Sequence, residues 1–163
     1  PDGWQGVCVV YKETKMVASE AFLNCTKVRH IVLNGVRKIS EYAFKGCTEL
    51  RKLNLGEKFE EIAPQAFDGC QNLTQIIVDN RNKNFKTIDG VLYSADMKTL
   101  ICCPRAKTGV FKIPRSVIYI ADYAFYNCVS IENVILHKNI ISLPRQVLIP
   151  LWWMVQVCAE HAV

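Results

Sequence analysis

Residues 43–55 read AFKGCTELRKLNL, and this stretch decides the fold. Its pattern, A-F-x-x-C-x-x-L-x-x-L-x-L, returns at residues 21–33 (AFLNCTKVRHIVL), 66–78 (AFDGCQNLTQIIV) and 124–136 (AFYNCVSIENVIL). With the Ala of each copy as phase 0, phase +4 is Cys25, Cys47, Cys70 and Cys128. Phase +7 is Val28, Leu50, Leu73 and Ile131, and phase −4 is Val17, Ile39, Ile62 and Ile120. Phases +10 and +12 are Ile31/Leu33, Leu53/Leu55, Ile76/Val78 and Val134/Leu136. The same phases stay apolar while the residues between them vary. An internal period of this length predicts a solenoid, because one unit cannot bury its apolar face until a neighbour stacks on it.

The L-x-L pair has the period of a strand with two side chains inward. The A-F-x-x-C segment is too short for a regular helix and is expected as a 3₁₀ turn or irregular backbone that drops Phe and Cys inward. Stacked units should line their strands into one parallel sheet. Cys8 lies 23 residues before Ile31, so Cys8 and Val10 are expected in an earlier strand. Val157 lies 23 residues after Val134, so Val157 and Ala159 are expected in a last one. Phe111 and Ile113 continue the ladder after a longer step from Ile76. The surplus lies near residues 88–103, where apolar runs 91–93 and 100–102 flank the polar turn 94–98, the pattern of a β-hairpin. The expectation is a single domain over residues 1–163, with about seven rungs and a degenerate terminal repeat at 144–163.

The copies resemble the BspA-like, or treponemal-type, leucine-rich repeat family, whose repeat is similar to C-x-x-L-x-x-I-x-L-x-x-x-x-x-x-I-x-x-x-A-F-x-x. The resemblance covers residues 17–143, and residues 84–104 (NFKTIDGVLYSADMKTLICCP) resemble a variant repeat of that family. It implies a right-handed solenoid of α/β class, mostly β and irregular, with a parallel concave sheet and one hairpin insertion. It also implies an extracellular or cell-surface location and a role in adhesion or binding of a protein partner, with host extracellular proteins among the candidates.

The 163 residues suffice for one such domain, and half of them are hydrophobic. The net charge of +5 is spread along the chain without a basic run, so no nucleic-acid partner is expected. The longest apolar stretch, 147–157, is too short for a transmembrane segment. No signal peptide is visible, so the start of the chain does not give a compartment.

No nucleophile elbow, P-loop or dinucleotide fingerprint is present, and His30, His137 and His161 have no accompanying nucleophile, so neither an enzyme nor a cofactor is expected. The four ladder cysteines lack C-x-x-C spacing and are read as small buried thiols rather than metal ligands or rung-to-rung disulfides. Vicinal Cys102 and Cys103 are read as two thiols in a strand, and Cys158 with His161 is a lone C-x-x-H without a second pair.

If phases +10 and +12 point inward, the residues between them face outward. The +11 column reads Val9, Val32, Asn54, Ile77, Lys112, Ile135 and Cys158, which is apolar for a face that meets water. One reading is simple β-propensity. The other is a binding stripe, with Tyr11, His30, Gln75, Asn133 and His137 supplying polar contacts. The stripe suits a protein partner, or alternatively a hydrophobic small ligand or lipid. Trp152 and Trp153 stand at phases that are mostly polar elsewhere, so they are candidates for a cap, a ligand pocket or a homo-oligomer contact at the C-terminal end, the last of which would make the chain a self-associating structural scaffold. Open sheet edges at 7–11 and 154–159, without charged protection, favour association or a preceding segment of chain.

Overall fold

The computed structural model describes residues 6–143 and the strand backbone at Val155–Val157. Its strands, in chain order, are β1 (Gly6–Val10), β2 (Met16–Val17), β3 (Val28–Leu33), β4 (Lys38–Ile39), β5 (Lys52–Leu55), β6 (Glu61–Ile62) and β7 (Gln75–Val78). They continue as β8 (Phe85–Ile88), β9 (Val91–Ser94), β10 (Thr99–Cys102), β11 (Gly109–Lys112), β12 (Tyr119–Ile120), β13 (Ile131–Leu136) and β14 (Val155–Val157). No helix occurs among the described residues.

The first three copies stack as the period demands. β1, β3, β5 and β7 form a parallel sheet with Cys8, Ile31, Leu53 and Ile76 in register. The two-residue strands β2, β4 and β6 form a second parallel sheet, aligning Val17, Ile39 and Ile62. These phases are the ones the sequence keeps apolar, and Cys8, Val17, Ile31, Ile39, Leu53 and Ile76 are all buried. Phe22, Phe44 and Phe67 stack ring on ring, with centroids 5.2 and 5.6 Å apart.

The A-F-x-x-C segments are paired turns rather than 3₁₀ helix. In the second copy Ala43 N–H donates to Ser40 O and Cys47 N–H to Phe44 O, and the residue before each donor, Tyr42 or Gly46, has positive φ. That is the arrangement of a type II turn, which requires a left-handed residue at its third position. A 3₁₀ helix has negative φ throughout, so it cannot form here. The second left-handed position is Asn24, Gly46, Gly69 and Asn127 in the four copies, residue types that tolerate αL, and this column was legible in the sequence. The turns also bond to each other: Phe22 N–H donates to Ala43 O, Phe44 N–H to Ala66 O, and Gly46 N–H to Asp68 O.

The expected hairpin is present, with β9 antiparallel to β10, but β8 joins it to make a three-stranded meander. The single continuous sheet expected from the period is not formed. After β7 the next partner is the meander, held by Ile76 N–H donating to Gly90 O, and β11 pairs with β13 instead of β7. Gly90 has φ +79°, and a Cβ there would lie 2.9 Å from Thr74 O, so only glycine fits the contact comfortably. β10 pairs with β12 and so stands in the row of short strands. The run Val91, Leu92, Tyr93 is buried on both faces. Leu92 packs into the core of the first repeats, and Val91 and Tyr93 into the core of the later ones. The meander is therefore a wall between two cores.

Two smaller expectations also change. Cys103 lies outside β10, where its N–H donates to Ala124 O as a Phe-phase residue would. In the last strand Val155 and Val157 pair with Val134 and Leu136, two residues earlier than the 23-residue step that placed Val157 and Ala159 there. A shift of two preserves the alternation of faces.

Candidate functional site

The outward face of the first sheet is built by register. Val9, Val32, Asn54 and Ile77 form one row across β1, β3, β5 and β7. Val7, His30, Lys52 and Gln75 form the row beside it. Parallel strands lie about 4.8 Å apart, so the four strands offer a platform roughly 14 Å across. Val7, Val9 and Tyr11 are the most open apolar side chains of this face, at 58%, 57% and 82% exposure. Val32, Asn54 and Ile77 are half-buried, and Gln75 is exposed. Val7 was not among the residues singled out from the sequence. Its phase, two before Val9 on an alternating strand, was the signal that could have found it.

The remaining candidates belong to a separate patch. Lys112 pairs in register with Ile135, and Val110 with Asn133, across β11 and β13. Because the meander stands between β7 and β11, Ile77 and Lys112 are not neighbours, and the seven-residue stripe is divided. Asn54 and the exposed Lys112 also interrupt its apolar character. Trp152, Trp153 and Cys158 lie outside the described residues.

Neither described histidine is a freely solvated surface ring. His30 is half-buried, with Nε2 3.0 Å from Asn54 Oδ1. His137 lies just past the end of β13, half-buried against the preceding turn. Asn139 N–H donates to His137 Nδ1, so Nε2 carries the proton and donates to Pro114 O at 3.0 Å. Both ring nitrogens of His137 are thereby engaged.

All seven described cysteines are free and buried. Cys47 Sγ donates to Phe22 O at 3.0 Å and Cys70 Sγ to Phe44 O at 3.1 Å, each reaching back one repeat. Each of these carbonyls already accepts the Cys N–H of its own turn, so the thiol of the next copy fills its second acceptor site. Burial pushes the Cys8 and Cys25 thiols up, and Cys102 to about 11. These groups are protonated and unreactive at neutral pH. Among the described residues no group of three metal-ligating side chains converges.

The other structural anchor of the region is Asn82, which is buried. Its Nδ2 lies within 3.1 Å of the carbonyls of Gly56, Glu57 and Phe59, while Oδ1 accepts from Asn84 and Phe85 N–H. It ties the meander to the third rung. Nothing in the repeat period marks it, since it lies in the non-repeating surplus.

Residues 9–108 and 102–148 match the family described as BspA type leucine rich repeat region, in six copies. Among solved structures, a leucine rich cell surface protein from Faecalibacterium prausnitzii A2-165 is similar at 27% identity and TM-score 0.69, over 85% of this chain and 37% of that one. A T. pallidum leucine rich repeat protein is similar at 25% identity and TM-score 0.53, over 80% of this chain and 58% of that one. A leucine-rich repeat protein from Eubacterium ventriosum shares the fold at 17% identity and TM-score 0.51, over 78% of this chain and 46% of that one. The chain thus spans 37% to 58% of the length of these relatives. No curated protein gives a significant match.

Proposed function

The chain belongs to the BspA type leucine-rich repeat family, and from that premise we propose that it is a non-enzymatic adhesion module of a cell surface, whose protein partner docks across β1, β3, β5 and β7. The observation that carries this reading is the pair of in-register rows on those strands. Val9, Val32 and Ile77 supply apolar area, and Asn54, Lys52, His30 and Gln75 supply polar groups among them. Interfaces combine these two kinds of surface, whereas a lipid site needs a closed apolar pocket. The platform is open and interrupted by polar residues, which favours a protein. The surface location is supported by the cell-surface description of the F. prausnitzii relative. The non-enzymatic reading is supported by the histidines, whose partners are an amide and backbone groups rather than a nucleophile.

The test is adhesion. Immobilised wild-type chain is probed with epithelial cells and a panel of purified extracellular proteins, beside a Val9→Glu, Ile77→Glu variant. The expected result is retention by the wild type and a loss of at least about tenfold in the variant, with an unchanged circular dichroism spectrum. Equal retention of the two would overturn the docking surface.

A further inference from the structure

The turn-to-turn ladder stops at Phe44–Ala66 and resumes at Cys103–Ala124. At the break a cleft of about 270 Å³ opens between the turns at 62–67 and 121–123. Its walls include Ile62, Pro64, Phe67 and Ile101, and Arg105 lines it from within. Arg105 is only 4% exposed. Its guanidinium lies over the Tyr126 ring at 5.5 Å, and its Nε and Nη1 have no hydrogen-bond partner. Among the described residues no carboxylate forms an ion pair with it. Asp122 lines the cleft but is exposed, and Asp68 Oδ1 accepts from Asn127 Nδ2. A buried cation with idle donors is costly unless an anion reaches it.

We propose that this cleft is a binding site for a small apolar monocarboxylate, with the carboxylate on Arg105 and the apolar body against Ile62, Phe67 and Ile101. One guanidinium neutralises one charge, and a planar carboxylate suits it. A phosphate dianion would bring a second charge near Asp122 and oxygens that the apolar walls cannot satisfy. The volume is at the small end of ligand sites, which selects a compact molecule. The carboxylate can belong to a free short-chain acid or to the C-terminus of an apolar peptide. The site does not depend on the docking platform.

The full chain is titrated by isothermal calorimetry with hexanoate, hexanamide, acetyl-Val-Val and acetyl-Val-Val-amide. Each carboxylate is expected to bind at least about tenfold more tightly than its amide. Hexanoate alone binding assigns a free acid, and the peptide alone assigns a chain terminus. Arg105→Gln should bind neither. Should that variant fail to fold, Ala121→Leu, which fills the cleft and keeps the charge, should abolish binding by itself. The proposal is overturned if neither carboxylate binds, if acid and amide bind equally, or if Ala121→Leu binds undiminished.

Discussion

The repeats before the meander and those after it are built from the same pattern, yet they pack differently. In the first region Phe22, Phe44 and Phe67 lie in a column with interplanar angles of 26° and 9°. In the second, Phe111 and Phe125 meet edge to face at 70°. Inside the first region a copy has equal neighbours on both sides, as Phe44 has, so each phase meets its own copy. The second has β9 on one side, and its residues at 91–93 answer to two cores at once. A period therefore specifies packing only where the neighbour carries the same period.

The largest expected effect tests that contrast. Phe44→Ala removes a fully buried ring held by two others and should cost about 3–5 kcal/mol. Phe125→Ala loses one aromatic partner, and should cost about 1 kcal/mol less, the worth of a ring pair beyond its area. Urea denaturation of both variants measures the difference, and equal costs would remove the column as a distinct source of stability.

The junction comes next. Asn82→Ala removes the amide donor shared by the carbonyls of Gly56, Glu57 and Phe59 and the acceptor for Asn84 and Phe85 N–H, and should cost about 1–3 kcal/mol. Hydrogen exchange should show faster opening at Phe85 and Ile76 than at Ile31, because the meander loosens before the first sheet does. Uniform acceleration across the chain would mean that the two regions unfold as one.

Alkali should act more gently and on the buried thiols. The folded value of Cys102 is raised by burial from 9.0 to about 11, and Tyr93 is pushed up by burial as well. A raised folded value means that this stability is fully present below about pH 9 and is lost as the pH rises toward 11. In reducing buffer the Tm should fall across that window, and Cys102→Ala should make the fall shallower. An identical slope would clear Cys102 of the effect.

The smallest effect should come from the surface. Lys38 Nζ sits 2.8 Å from Glu61 Oε1 across β4 and β6, and both side chains are about half exposed. Lys38→Ala should change stability by less than about 1 kcal/mol, read in the same urea experiment. A larger loss would show that the short-strand sheet depends on ion pairing more than on Val17 and Ile39.

Much of the fold was legible. The phases at Ile31, Leu53 and Ile76 gave the strands, and the surplus after Ile76 gave the hairpin. The site was legible only row by row. Val9, Val32, Asn54 and Ile77 are neighbours because regular copies share one register. Lys112 and Ile135 follow the same phase and yet lie in another sheet, because phase counts residues along the chain and cannot say what occupies the gap.

By itself the sequence determined the repeat, the inward columns and the buried thiols, since apolar periodicity must be buried and only stacking buries it. The tertiary structure decided where the stack breaks, which strand fills the break, and that Arg105 is enclosed there. Those outcomes depend on contacts between segments that do not repeat. Asn82 holds the meander to the third rung through its side-chain amide, and Gly90 holds it to β7 through one hydrogen bond and a close backbone approach; such contacts leave no period to read.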